Sequence, residues 1–355
     1  MFNKIIDING RLIGGENPPF IIAEMSGNHN QSLERALDII DKVAEADADA
    51  VKLQTYTPDT LTIKSSKNDF IIKGGLWDGS SLYDLYSSAY TPWDWHKKLF
   101  KQAKKNNLII FSSPFDYSAI KFLEELECPI YKIASFEATD IPLVSRVAET
   151  KKPLIISTGM SNFKEIEETV SVVSHKGCKD LILLHCVSGY PTPHEEANLK
   201  TIEDLEKNFG CVVGLSDHTL GITSSISSVS FGASVIEKHV TLSRKDGGPD
   251  SSFSLEPKEL NDLCIESKIA KKSIGKINYE KKPSEEDNLI FRRSIYAVKK
   301  ILKGEKFTEE NIKSIRPGYG IEPKYFPSLI GKKSLSNLEA GDALKWNHVL
   351  LNKNE

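Results

Sequence analysis

Residues 212–242 read VVGLSDHTLGITSSISSVSFGASVIEKHVTL. One apolar run, Val212-Val213-Gly214-Leu215, leads into Ser216-Asp217-His218. A second, Ala233-Ser234-Val235-Ile236, leads into Glu237-Lys238-His239. The segment between them has helix length and is rich in small residues. Parallel strands joined by a helix end on the same face of their sheet. His218 and His239 therefore project from neighbouring strand ends toward one point. Two converging imidazoles form part of a metal site, and water and substrate would complete it. A histidine merely hydrogen-bonded at a strand end is the alternative. It suits one such residue better than two beside Ser216, Asp217 and Lys238.

Six further apolar runs precede these two: Phe20–Met25, Ala50–Thr55, Leu108–Pro114, Ile130–Ser135, Leu154–Thr158 and Leu181–Cys186. Segments of helical periodicity separate most of them, such as the stripe Leu33, Ala36, Leu37, Ile40, Val43 and Ala44. Strands alternating with helices in this number predict a (β/α)8 TIM barrel. An open doubly wound sheet would want a Gly-rich phosphate turn after its first strand, and AEMSGNHN is not one. Residues 2–13 alternate around Asn9-Gly10 and predict an N-terminal hairpin. An insertion at 58–91, rich in Ser, Gly, Asp, Tyr and Trp, reads as a functional loop or an appendage at the barrel mouth. The predicted organisation is a barrel at 1–275, a polar linker at 276–291 and a small β-rich domain at 292–351.

The totals narrow the function. Hydrophobic residues make up 39% and charged residues 27%, as in ordinary globular proteins. A net charge of −3 gives no reason to expect nucleic acid or an anionic membrane as partner. No apolar run is long enough to span a bilayer. The N-terminus, MFNKIIDINGRLIGG, lacks the apolar core of a signal peptide. Five scattered cysteines read as reduced thiols, and the expected location is the cytoplasm.

Chemistry in such a barrel sits at the C-terminal ends of the strands. Those positions hold Glu24, Lys52, Gln54, Ser113, Lys132, Ser135, Ser157, Ser216, His218, Lys238 and His239. Tyr190 follows the sixth strand. Lysines inside apolar strands are costly unless paired or facing a ligand. Lys52, Lys132 and Lys238 together describe a pocket for a small, highly charged anion, such as one bearing both phosphate and carboxylate. Ion pairs with Glu24 or Glu237 are the plain alternative for each. A Schiff-base lysine is the rival chemistry, which would leave the paired histidines without a purpose. A non-catalytic sugar-binding module would leave the whole set unexplained. His185 and Cys186 read as inward-packed strand residues, and His29 is left unassigned.

The motifs IIAEMSGNHN, VKLQT, FSSPFD, YKIAS, ISTGM, LLHCVSGYPTP, GLSDHT, EKHVTL, GGPDSSFSLEP and RPGYGI resemble, in this order, the sialic acid synthase family. The resemblance covers nearly the whole chain. It implies a TIM barrel followed by an antifreeze-like (SAF) domain. It also implies condensation of phosphoenolpyruvate with an amino sugar to a nine-carbon 2-keto sugar acid. By resemblance, His218 and His239 hold a divalent cation, manganese or magnesium. Lys52, Ser113, Lys132, Ser135, Ser157 and Ser216 match phosphoenolpyruvate-binding positions. Glu24, Gln54, Tyr190 and Asp250 match positions around the sugar and the attacking water, with Glu24 as base. Arg316 matches a residue that reaches the sugar from the antifreeze-like domain of the other subunit of a homodimer. AEMSGNHNQ and HCVSGYPTP depart from the N-acetylneuraminate branch, with Ser188 where that branch has Asn. They side with the branch whose sugar is a 2,4-diacetamido-2,4,6-trideoxy altrose. N-acetylneuraminate or legionaminate synthesis is the alternative. For the sugar's methyl groups, Phe253 is a candidate contact, with Tyr190 and Met25. Folding back onto the barrel rim is the other reading of Phe253.

Overall fold

The computed structural model describes residues 1–351. Two compact units divide the chain, one at Met1–Gly275 and one beginning at Lys276.

In the first unit, β1 (Ile6–Ile8) and β2 (Arg11–Ile13) form the hairpin expected around Asn9-Gly10. Asn9 and Gly10 both take positive φ, as a tight two-residue turn requires. Ile6, Ile8 and Ile13 pack in one cluster with Phe20, Ile22, Phe111 and Val235. The hairpin thereby seals the barrel interior where the strands begin.

Eight parallel strands follow: β3 (Phe20–Glu24), β4 (Ala50–Thr55), β5 (Ile109–Pro114), β6 (Tyr131–Ile133), β7 (Leu154–Ser157), β8 (Leu181–Cys186), β9 (Val212–Asp217) and β10 (Val235–His239). They pair in sequence order, and β10 returns to β3, closing a barrel. The register sets His239 beside Glu24, Glu24 beside Lys52, and Gln54 beside Ser113. The paired residues bring polar side chains of four neighbouring strands, β10, β3, β4 and β5, to the C-terminal end.

The outer layer begins with α1 (Leu33–Glu45), whose buried face is Ala36, Ile39, Ile40 and Val43. Its N-cap is Ser32, whose hydroxyl accepts from Arg35 N. The insertion folds as α2 (Pro58–Leu61) and α3 (Leu82–Ala89) with irregular chain between. Then come α4 (His96–Lys105), α5 (Tyr117–Glu125), α6 (Ile141–Ala148), α7 (Phe163–His175), α8 (Thr201–Phe209), α9 (Thr223–Val229) and α10 (Pro257–Ile274). All five cysteines are buried free thiols. No helix among the described residues is long and apolar enough to cross a membrane.

In the second unit, β11 (Ser294–Ala297) and β12 (Ile312–Ile315) pair antiparallel. Ile295, Ile301, Phe307, Ile312, Leu338 and Leu344 fill its own core. Arg316 follows β12 and is exposed, with its guanidinium carbon 5.9 Å above the Phe291 ring centre.

Candidate active site

The C-terminal strand ends surround a cavity of about 390 Å³. Successive residues of a strand face opposite sides, so each strand offers the lumen every second side chain. Glu24, Lys52, Gln54, Lys132, Ser157, Ser216, Glu237 and His239 reach the cavity from the strands. Ser135, Tyr190, His218 and Asp250 reach it from the loops after β6, β8, β9 and β10. Ser113 is not a wall residue; its hydroxyl accepts from Lys52 Nζ at 3.4 Å.

Glu237 holds the centre of the floor. Lys132 Nζ donates to both of its oxygens at 3.1 Å, and Lys52 Nζ lies 3.5 Å from Oε1. Lys52 Nζ also stands 2.6 Å from Glu24 Oε2. Buried charges persist when paired in this way. Burial pushes the Glu237 carboxyl up, but Lys132 and Lys52 outweigh it and hold the group down to about 2. Burial lowers Lys132, and the same burial at Lys52 is outweighed by Glu237 and Glu24, which raise it. Gln54 Nε2 donates to Glu24 Oε1 at 2.8 Å and fixes that carboxylate's orientation. The Ser157 hydroxyl is buried without a partner.

The histidines converge as their spacing predicted. Their ring centres are 5.3 Å apart. His218 donates from Nδ1 to Val187 O at 3.0 Å, so its other nitrogen is the one available as a ligand. His239 Nδ1 is buried, lies 3.4 Å from Asp250 Oδ2 and has no hydrogen-bond partner of good geometry. Burial raises the Asp250 carboxyl, but His239 and Ser26 outweigh it and leave it lowered.

Two sequence expectations, for Lys238 and His185, need correction, and the open readings of Phe253 and Met25 are decided. Lys238 faces the helical layer, where Nζ donates to Asp217 Oδ2 at 2.9 Å and to Thr219 O. It belongs to no anion pocket, because its neighbours Glu237 and His239 take the lumen side. His185 also faces outward, and its Nε2 donates to Ala197 O at 2.7 Å. Cys186, one residue on, does line the cavity, 3.9 Å from His218 Nδ1. Phe253 is 2% exposed and packs edge-on behind His218 and His239 instead of lining the cavity. Met25 is likewise fully buried. His29, left open by the sequence, is structural: its Nδ1 accepts from Gln31 N, its Nε2 meets Thr91 Oγ1, and its ring stands edge-on to Trp95.

Two carboxyls line the cavity beyond the expected site residues. Glu237, expected only as an ion-pair partner of the strand lysines, is that partner for Lys52 and Lys132, and stepping two residues back from His239 also puts it on the lumen side. Glu137 follows β6 in the chain, and burial pushes its carboxyl up to about 7. No periodicity marks that position.

Residues 39–279 match the NeuB family, and residues 292–350 match the SAF domain. The chain belongs to the NeuB family. It is 46% identical to the pseudaminic acid synthase of Campylobacter jejuni over 328 residues, 92% of this chain and 95% of that protein. It is 42% identical to the pseudaminic acid synthase of Helicobacter pylori over 333 residues, 94% of this chain and 98% of that protein. Its fold is similar to the crystal structure of an N-acetylneuraminic acid synthetase from Leptospira borgpetersenii in complex with citrate. The TM-score is 0.72 at 34% identity, covering 80% of this chain and 94% of that one.

In this NeuB-family barrel the residues present fit a divalent cation. They offer two imidazoles, one with a buried unpartnered nitrogen, beside the Asp250 carboxylate. Among the described residues no group of three or more His, Cys, Asp or Glu is spaced to hold a metal. A two-histidine site therefore needs ligands from outside the protein.

Proposed function

We propose that the chain condenses phosphoenolpyruvate with 2,4-diacetamido-2,4,6-trideoxy-L-altrose and water. The products are phosphate and a nine-carbon 2-keto sugar acid, as for a pseudaminic acid synthase. One observation carries this reading: two buried lysines, Lys52 and Lys132, share one carboxylate at the floor of a cavity that also holds a histidine pair. The similarity to proteins of that name supports the choice of sugar.

C3 of phosphoenolpyruvate attacks the sugar's aldehyde carbon, which leaves C2 electron-poor. Water adds to C2, and Glu24, oriented by Gln54, takes its proton. The tetrahedral intermediate breaks its C2–O bond and expels phosphate. Of the water's two protons, one ends on the new hydroxyl and one on phosphate. Lys52 and Lys132 hold the substrate anion and offset charge on the leaving group. Ser135, Ser157 and Ser216 supply hydroxyl donors around it, the Ser157 hydroxyl having no competing partner, while Ser113 acts behind them by accepting from Lys52 Nζ. Gln54, Tyr190 and Asp250 serve the sugar side. Manganese or magnesium held by His218 and His239 would supply Lewis-acid polarisation of an aldehyde oxygen. A Schiff-base route needs a neutral amine. Both cavity lysines instead share Glu237 as charge partner.

The same reading makes the enzyme a cytoplasmic homodimer. In it Arg316 of one copy reaches the sugar in the other. The test is phosphate release from phosphoenolpyruvate against a panel of amino sugars. Release with the diacetamido trideoxy altrose supports the proposal, and release with none of the panel contradicts it.

A further inference from the structure

The insertion at 58–91 supplies one wall of the cavity, through Leu61, Ile72, Trp77, Leu82, Leu85 and Tyr86. Every charged residue of the insertion is exposed, and none lines the cavity. The wall's indole N–H is already used: Trp77 Nε1 donates to Pro249 O at 3.1 Å. The Trp77 ring also packs against Tyr190, with centres 5.5 Å apart. The insertion is thus fastened to the loop that carries Asp250 and to the aromatic residue after β8. The same cavity is lined by Lys52, Lys132, Glu24 and Glu237. A substrate in it meets charge from these residues and a mostly apolar surface from the insertion, Tyr86 with its hydroxyl being the exception.

We propose that Trp77 and the apolar wall it anchors determine the choice of sugar by receiving the C6 methyl group of a 6-deoxy sugar. The inference rests on the proposed reaction and names what selects its sugar within the same site. A sugar with a C6 hydroxyl would shed water there and gain no partner from Leu61, Ile72, Leu82 or Leu85, whose side chains carry no polar atom. Phe253 cannot play this part, being buried behind the histidines.

An apolar surface rejects an added hydroxyl only modestly, by about 100-fold. The probe pair is 2,4-diacetamido-2,4,6-trideoxy-L-altrose and 2,4-diacetamido-2,4-dideoxy-L-altrose, which differs only by a hydroxyl at C6. Wild type should prefer the 6-deoxy sugar in kcat/KM by roughly 30- to 100-fold, and Trp77→Ala should bring the ratio within about 5-fold of one. The KM for phosphoenolpyruvate should change by less than about 3-fold, because the floor is untouched. Ile72→Gln, which puts an amide into the wall and leaves Trp77 in place, should lower the ratio as well. It keeps the test decisive if Trp77→Ala does not fold. An active wild type whose ratio is near one, or whose ratio survives these variants, overturns the wall's role alone. A wild type that turns over neither sugar overturns the proposed reaction and this inference with it.

Discussion

Lys132 Nζ stands 3.1 Å from each carboxylate oxygen of Glu237, an arrangement that pairs a buried amine with a carboxylate before any substrate arrives. Removing one member of such a cluster leaves the others unpaired. Glu237→Gln should therefore destabilise the substrate-free protein by about 3–5 kcal/mol. Phosphoenolpyruvate should then raise the melting temperature more in the variant than in wild type, because the bound anion replaces the lost carboxylate. The wild-type contribution has a defined pH window. The Glu237 carboxyl is depressed to about 2 from 4.5, so its stabilisation is present above pH 4.5 and lost as pH falls toward 2. Equal thermal shifts in the two proteins would refute the anion's place beside Glu237.

Lys132 and Lys238 lie on opposite faces of the barrel wall, and their substitutions should separate. Lys132→Ala should raise the KM for phosphoenolpyruvate by about 100-fold or more, as expected on losing a charged contact. Lys238→Ala should leave that KM nearly unchanged while costing about 3–5 kcal/mol of stability, since Asp217 is stranded. Steady-state kinetics with urea unfolding of both variants decides the matter. A large KM change for Lys238→Ala would return that residue to the site.

His29 and His96 are buried neutral rings, and burial lowers each to about 4 from 6.5. Both bind protons more weakly folded than unfolded. Their stabilisation is complete above pH 6.5 and is lost as pH falls toward 4. At pH 5 the loss should be about 2 kcal/mol per histidine. Thermal unfolding of wild type and His29→Gln between pH 7.5 and pH 5 measures it. The variant should show the shallower decline, and parallel curves would mean that His29 does not carry the effect.

His239 Nδ1 is the unpartnered buried nitrogen of the histidine pair. Manganese titrated into the apoprotein should give a binding isotherm for wild type and none for His239→Ala. Phosphoenolpyruvate should still protect the variant thermally through Lys52 and Lys132. Full turnover by thoroughly chelated wild type would contradict the metal's part.

The barrel was legible because its eight apolar runs and intervening helical stripes follow the two periods of secondary structure. The histidine convergence followed from strand-end geometry alone. Parity along a strand decides which of the neighbouring residues join them. Lys238 and His239 are adjacent, so they cannot both face the lumen, and the same rule places Glu237 inside. The wall built by the insertion was not legible in this way. Trp77 meets Pro249 across 172 residues of sequence, and no local pattern encodes that contact. Phe253 looked like a substrate contact because its loop is otherwise small and polar. Its ring instead fills the space behind His218 and His239.

As proposed, this NeuB-family barrel joins phosphoenolpyruvate to a 2,4-diacetamido-2,4,6-trideoxy sugar. A competition reaction tests it most directly. Phosphoenolpyruvate is supplied with equal concentrations of 2,4-diacetamido-2,4,6-trideoxy-L-altrose and N-acetylmannosamine, and the nine-carbon acids are resolved by mass. Their early ratio equals the ratio of the two kcat/KM values. The diacetamido product should dominate. A predominance of N-acetylneuraminate would contradict it.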